Sequence, residues 1–455
     1  MRPITTGRPL GPAALRHTPA ALLALAGLLV LGLLAPRAEA VPTRPTPTPP
    51  AATAWTGTWA TAPTTVPAGD TTVFEDQTIR QVVHASVGGG AVRVRLTNEF
   101  GTTPLVIGEA RIALRDTRAA GARTLRDTDR PLTFGGRPST TIPAGAPALS
   151  DPVTLRVPAG ADLVISLYLP HHTPGSTTHA FAFQHNYVAD GNVTARQDIE
   201  ATRTLDRWYF LSTVSVRTGP DAAAAPAPDR GAAVIALGDS ITDGGNTTVN
   251  ANHRWPDLLA ERLRGSPRTA GIGVLNQGIS GNRLLHDPNP PAGHPAEAYA
   301  AYFGHSALRR FDRDVAAQPG ARYVVVLLGV NDLGHPGTVA PESERVTAEE
   351  IIAGHRQLIA RAHERGLRVY GGTILPFAGD SLGFSSPQNE AARQQVNTWI
   401  RTSGEYDGVI DFDAALRDPG QPDRLDPRYD SGDGLHPNDA GARAMAQAVP
   451  LTLFQ

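Results

Sequence analysis

Ala232-Ala-Val-Ile-Ala-Leu237, followed by Gly238-Asp239-Ser240-Ile241-Thr242-Asp243-Gly244, is the stretch on which the fold turns. Six apolar residues without a polar interruption read as a strand covered on both faces, as in a parallel sheet. The heptapeptide that follows ends the run with Gly, Asp and Ser. In open parallel sheets ligands bind beyond the carboxyl ends of strands. A serine there reads either as a nucleophile or as part of an ordinary polar turn, where these residue types are common. Similar apolar runs recur at Val274-Leu275, Tyr323 to Leu328, Leu367 to Gly372 and Val409 to Phe412. Helical spacing fills the intervals: Leu258, Leu259, Arg262 and Leu263 lie within Trp255 to Arg264, and Ala348 to Arg365 and Asn389 to Arg401 follow. Strands alternating with helices predict a three-layer, flavodoxin-like α/β domain over 231–455.

The preceding half has a different period. Ala91-Val-Arg-Val-Arg-Leu96 alternates apolar with charged residues. Leu163, Ile165, Leu167 and Leu169 alternate as well, Phe181 and Phe183 keep the same spacing, and Trp208 to Val216 is rich in strand formers. Turn signals at Gly88-Gly-Gly90, Gly135-Gly136, Pro158-Ala-Gly160 and Pro174-Gly175 separate these runs. Short strands with frequent turns predict an all-β, jelly-roll-like sandwich over 54–218. Small residues and prolines at 219–230 (GPDAAAAPAPDR) read as the linker between the halves. Trp55 and Trp59 read either as platforms for sugar rings or as residues of the β core or of the seam between the halves.

Arg2, Arg8 and Arg16 precede an apolar stretch from Ala20 to Ala35, and Ala38-Glu39-Ala40 forms a small-x-small cleavage site. This is the pattern of a secretory signal peptide over 1–40. The proline-dense VPTRPTPTPPAAT at 41–53 reads as an extended linker. The expected location is therefore extracellular. The 455 residues include no cysteine, and all 41 basic residues are arginine. That excludes disulfides, thiolate nucleophiles, Cys-ligated metals, Schiff bases and a P-loop lysine. A formal charge of −2 gives no reason to expect nucleic acid as a partner. No metal or organic cofactor is expected. His171, His172 and His179 match no trusted zinc spacing and read as a solvated loop. Asn192-Val-Thr and Asn246-Thr-Thr match the glycosylation triplet, a match frequent by chance.

Three further polar segments accompany the Ser240 heptapeptide. Asn276-Gln-Gly-Ile-Ser-Gly281-Asn282 follows the second apolar run, and Gly329-Val-Asn331-Asp332 follows the third. Asp433-Gly-Leu-His436-Pro437 lies near the C-terminus. These four blocks, in this order, resemble the SGNH hydrolases, also called the GDSL family of lipases and esterases. Their signature residues fall on Ser240, Gly281, Asn331 and His436, with Asp433 three positions before the histidine. The β-rich half resembles the accessory domain that precedes some secreted bacterial members, through Trp55-Thr-Gly-Thr-Trp-Ala-Thr61 and Val92-Arg-Val-Arg-Leu-Thr-Asn98.

The resemblance implies a carboxylic ester hydrolase in which His436 deprotonates Ser240 and Asp433 orients the imidazole. Asp433 is expected to reach the ring through a helical turn, with Asp426 and Asp430 as nearby rivals. The oxyanion donors would be the Ser240 N–H, the Gly281 N–H and the Asn331 amide. Glycine at 281 is expected because substrate comes close to the backbone there. Asp239 is expected to hold the nucleophile turn. The family's substrates include lipid esters, short acyl esters, acetylated polysaccharides and thioesters; secretion favours polymer or lipid esters. The alternative is a glycan- or wall-binding protein dominated by its β half. The long segment Leu284 to His305 reads equally as a wall of the substrate site and as a variable surface excursion.

Overall fold

Alternating side chains settle the first half. The computed structural model describes residues 54–218 and 231–455; the signal peptide and both linkers read from the sequence lie outside the described residues. Residues 54–218 form mostly antiparallel sheet. One sheet orders Ala54–Ala60, Leu211–Thr218, Gly89–Thr97 and Val153–Val157, with Pro147–Leu149 also paired to Gly89–Thr97. The second orders Arg203–Leu205, Asn186–Asp190, Gln77–His84, Asp162–Leu169, Glu109–Leu114 and Arg130–Leu132. Val92, Val94 and Leu96 of the first sheet share one apolar core with Ile79, Ile165 and Leu167 of the second. The period-two pattern thus lines the space between two sheets.

Two details depart from the expected strands. Phe181 and Phe183 are not strand residues: both adopt left-handed backbone (φ 59° and 47°), and Phe181 is exposed. Their alternation belongs to a loop. The expected run Trp208 to Val216 is broken at Phe210, which is also left-handed (φ 57°). The break leaves Trp208–Tyr209 free to pair with Thr178–His179 in a small separate ladder.

In the second half, five parallel strands are here called β1 (Ala233–Gly238), β2 (Gly273–Gly278), β3 (Ala321–Leu327), β4 (Arg368–Gly372) and β5 (Gly408–Ile410), in the order β2-β1-β3-β4-β5. Every residue of β1 is buried, as an uninterrupted apolar run requires. The expected helices are present at Trp255–Arg264, Ala348–Glu364 and Pro387–Thr402. The second of these opens on a reciprocal Thr347–Glu350 cap. The order reverses between β1 and β3, and in open α/β sheets ligands bind beyond the carboxyl ends of the strands at such a point.

The described residues of both halves belong to one compact unit, Ala52–Gln455. They meet at the edge strand β2. A Cβ on Gly273 would lie 2.1 Å from the Gly57 carbonyl oxygen, and one on Gly57 would lie 2.5 Å from Leu275. The Gly57 N–H donates to the Pro319 carbonyl at 2.8 Å, and the Val274 N–H donates to Ser86 Oγ at 2.9 Å. Backbone thus packs on backbone, which only glycine permits at this spacing. Gly273→Ala is expected to push Ala54–Ala60 off β2 and cost about 1–3 kcal/mol, the usual range for overpacking. Thermal unfolding checks this; an unchanged midpoint would contradict the tight seam.

Candidate active site

The site is built from the β1 exit. Gly238 is required there because a Cβ would lie 2.1 Å from Thr242 Oγ1. Asp239 caps the four-residue helix α1 (Ser240–Asp243), its carboxylate accepting the Ile241 N–H at 3.0 Å. Gly244, at φ 109°, closes the helix, and its N–H donates to the Ser240 carbonyl. Burial pushes the Asp239 carboxyl up to about 7, against the hydrogen bond from Ile241 and the attraction of His436. Ser240 is 7 % exposed, so little of the residue meets solvent.

His436 Nε2 lies 2.8 Å from Ser240 Oγ, and His436 Nδ1 lies 2.6 Å from Asp433 Oδ2. The carboxylate facing Nδ1 calls for the proton on that nitrogen and leaves Nε2 to accept from the serine. The expected helical turn between Asp433 and His436 is absent. Asp433 Oδ1 instead accepts the Leu435 and His436 N–H groups at 2.9 and 2.8 Å, in a turn flanked by left-handed Gly432 and Gly434. An aspartate that bonds its own following backbone reaches the ring more directly than a helix would. Burial works to raise the Asp433 pKa. The His436 ring and the two N–H groups outweigh it and hold the carboxyl well below the ordinary range. The rivals are engaged elsewhere: Asp426 pairs with Arg428 at 2.6 Å, and Asp430 accepts the Gly432 and Gly434 N–H groups.

Gly281 and Asn331 are brought together through Asn282, whose carbonyl accepts the Asn331 amide at 2.9 Å. That amide carries two hydrogens, so one remains for a ligand. Asp332, next in the chain, accepts the Leu284 and Leu285 N–H groups and pins the same segment. Gly281 is left-handed (φ 77°), and a Cβ there would lie 2.1 Å from the Phe303 ring. The glycine is thus fixed by its backbone conformation and by an aromatic neighbour. Phe303 belongs to the long 284–305 segment, which therefore returns to the oxyanion block.

Several residues in this framework carry no sequence signal of their role. Asn246, which matched only a glycosylation triplet, donates to Asp433 Oδ2 at 2.9 Å and braces the orienting acid. Arg310 is fully buried and donates to the Gly238 and Gln277 carbonyls at 2.9 and 2.8 Å and to Asn282 Oδ1. It ties the nucleophile strand to the oxyanion block. His179 is not in a solvated loop: it is buried against the other half, with Nε2 2.9 Å from Asp243 Oδ1. The Thr178–His179 ladder with Trp208–Tyr209 carries it inward, whereas His171 and His172 stay exposed. Trp59 is buried edge-on to Trp208, and Trp55 lies under the Arg93 and Arg217 guanidinium groups, so neither ring is an open sugar platform.

A serine, an imidazole and a carboxylate in hydrogen-bonded series, at the strand ends of a parallel sheet, are the arrangement of a serine hydrolase. Residues 236–444 match the GDSL-like lipase/acylhydrolase family, so the chain carries a domain of that family and is a carboxylic ester hydrolase. No curated protein sequence matches the chain. Among solved structures it is similar to an acetylxylan esterase from Geobacillus stearothermophilus, Axe2, at 21 % identity over 50 % of this chain and 95 % of that one, with a TM-score of 0.36. It is also similar to the M. smegmatis aryl esterase at 17 % identity over 48 % and 95 %, with a TM-score of 0.35. A GDSL-like lipase from Bacteroides thetaiotaomicron matches at 18 % identity over 50 % and 88 %, with a TM-score of 0.34.

The buried Asp239 gives a pH test. Its folded pKa is raised above the ordinary carboxylate value, so its stabilising contribution is complete below that value and is lost as pH rises through about 7. Asp239→Asn keeps the acceptor for Ile241 and removes the ionisation. The thermal midpoint of the variant minus that of wild type is expected to climb between pH 4 and pH 7 and then level off. A difference flat across that window would refute the shift.

Proposed function

We propose that this chain is a secreted serine esterase that cleaves carboxylic esters through an acyl-enzyme on Ser240. The observation that carries this reading is the unbroken series Ser240 Oγ–His436 Nε2 and His436 Nδ1–Asp433, at 2.8 and 2.6 Å. His436 takes the hydroxyl proton as Ser240 attacks the acyl carbon. Asp433 holds the ring and stabilises the imidazolium. The negative oxygen of the tetrahedral intermediate is received by the Ser240 and Gly281 N–H groups and by the Asn331 amide. The imidazolium returns its proton to the departing alcohol, and water then repeats the sequence on the acyl-enzyme.

Extracellular location rests on the signal-peptide pattern of residues 1–40. It favours lipid, short-acyl or acetylated carbohydrate esters over intracellular thioesters. Among the described residues no helix is long and apolar enough to cross a membrane. A reading in which glycan binding by the β half is the main role is weakened, since Trp59 is buried and Trp55 is half-buried beneath two guanidinium groups.

Ser240→Ala is expected to reduce hydrolysis of p-nitrophenyl acetate to background while leaving the fold intact by circular dichroism. Wild-type rates in that variant would overturn the reading. Asn331→Ala is expected to lower kcat by about 100- to 1,000-fold, as loss of one oxyanion donor does. Steady-state kinetics on the same ester decide it, and an unchanged kcat would remove Asn331 from the oxyanion site. An acyl-length series on glycan, glycerol and lysophospholipid esters would place the substrate within the class.

A further inference from the structure

We propose that His179, carried by the β half, is a positioning residue for the oxyanion block of the other half and acts through Asp243 and Ser280. The inference rests on the esterase reading above and assigns the β half a part in the same site.

His179 is 3 % exposed, as is Asp243. Its Nδ1 lies 2.8 Å from the Ala62 carbonyl oxygen, and its Nε2 lies 2.9 Å from Asp243 Oδ1. Both ring nitrogens face acceptors, and the ring spans from β-half backbone to the buried carboxylate. The other carboxylate oxygen, Asp243 Oδ2, accepts the Ser280 N–H at 3.0 Å and the Ser280 hydroxyl at 2.8 Å. Asp243 is the last residue of the short helix that begins at Ser240. Ser280 directly precedes Gly281.

The Gly281 N–H belongs to the peptide that starts at the Ser280 carbonyl. The plane of that peptide, and the aim of its N–H, is therefore set from the Ser280 side. Two of the bonds that fix Ser280 end on one carboxylate, and His179 supplies that carboxylate's opposing donor. Without it, Asp243 Oδ1 is left buried with no donor, a costly state that the side chain relieves by turning, which disturbs the two bonds to Ser280. Gly278 leaves no slack: a Cβ there would lie 2.2 Å from the Asp243 nitrogen, so β2 already presses on the helix.

The seam does not depend on His179 alone. Arg313 pairs with Glu99 at 2.9 Å, Tyr302 donates to Asp70 at 2.6 Å, and Arg254 donates to the Ala182 carbonyl. Loss of the imidazole should therefore act locally and not detach the halves. The oxyanion exists only after attack, so the effect belongs to kcat and not to ground-state binding.

The test is steady-state hydrolysis of p-nitrophenyl acetate by the full chain, with Ser240→Ala as the background. His179→Leu is expected to lose on the order of 10- to 100-fold in kcat, with KM within about twofold, as misplacement of a catalytic group does. His179→Gln, whose amide can still donate to Asp243, is expected to recover much of that loss. If His179→Leu does not fold, Asp243→Asn against Asp243→Leu provides the same contrast, because asparagine keeps an acceptor for Ser280 and leucine does not. A kcat at least tenfold lower in the leucine member supports the assignment. A leucine variant with kcat within twofold of wild type overturns it, as does a loss confined to KM or to thermal stability. A wild-type chain no faster than Ser240→Ala would overturn the esterase reading and this inference with it, and it is distinguishable because every variant then shares that baseline.

Discussion

The hydrogen bond between Ser240 and His436 joins residues 196 positions apart, and the arrangement of the second half follows from the need to close it. Neither partner reaches the other through local structure. Ser240 is delivered by β1, the strand beside which the sheet order reverses, and His436 arrives by a chain that has first passed through β3, β4 and β5. Tolerance at the meeting point is small, because donor and acceptor work only within about 0.3 Å of their best distance. The surrounding glycines reflect that limit. At Gly238, Gly278 and Gly281 an added Cβ would fall within 2.2 Å of another heavy atom, the Thr242 hydroxyl, the Asp243 nitrogen and the Phe303 ring, so there is no room for a side chain at any of the three.

The five parallel strands, the antiparallel half and the four polar blocks were legible because each is written locally. An apolar run, a two-residue alternation or a Gly-Asp-Ser turn carries its meaning within ten residues. Ser240, Asp433 and His436 are bonded to one another, and Gly281 and Asn331 are joined through Asn282. What escaped reading was long-range partnership. Arg310 looks like any arginine of a helix, yet it binds the carbonyls of two strands. Asn246 looked like a chance triplet, and its amide braces Asp433 across 187 positions. His179 reads as part of a solvated loop because it matches no metal-ligand spacing; its ladder with Trp208 turns it inward. The turn at Asp433 failed for a different reason. A three-residue offset suggests a helix, and an aspartate that caps its own backbone between two left-handed glycines satisfies the same offset without one.

Arginine supplies every basic side chain, and the interior shows what it does there. Arg80 donates to Ser166 and to the carbonyls of Ala122, Val193, Thr194, Arg196 and Gln197, holding an outer loop to the β half from beneath. Arg393 bridges Glu390, Asp413 and the Ile374 carbonyl. A planar fork with five donors can satisfy several backbone oxygens at once, whereas an ammonium offers three from a single point. Buried cations of this kind are tolerated because few donors are left over.

The contact of Ala54–Ala60 and Ser86 with β2 has a consequence beyond the seam itself. β2 is the outermost strand of the parallel sheet, and the Val274 N–H points away from β1 into the Ser86 hydroxyl. An outermost strand with free amides is a template on which foreign chains can add, the first step toward aggregation. Here that rim is occupied by the chain's own strand Ala54–Ala60, at a spacing too close to admit another. A catalytic half separated from its partner would expose this rim to every other copy in solution, so colloidal behaviour as well as geometry binds the two halves into one unit.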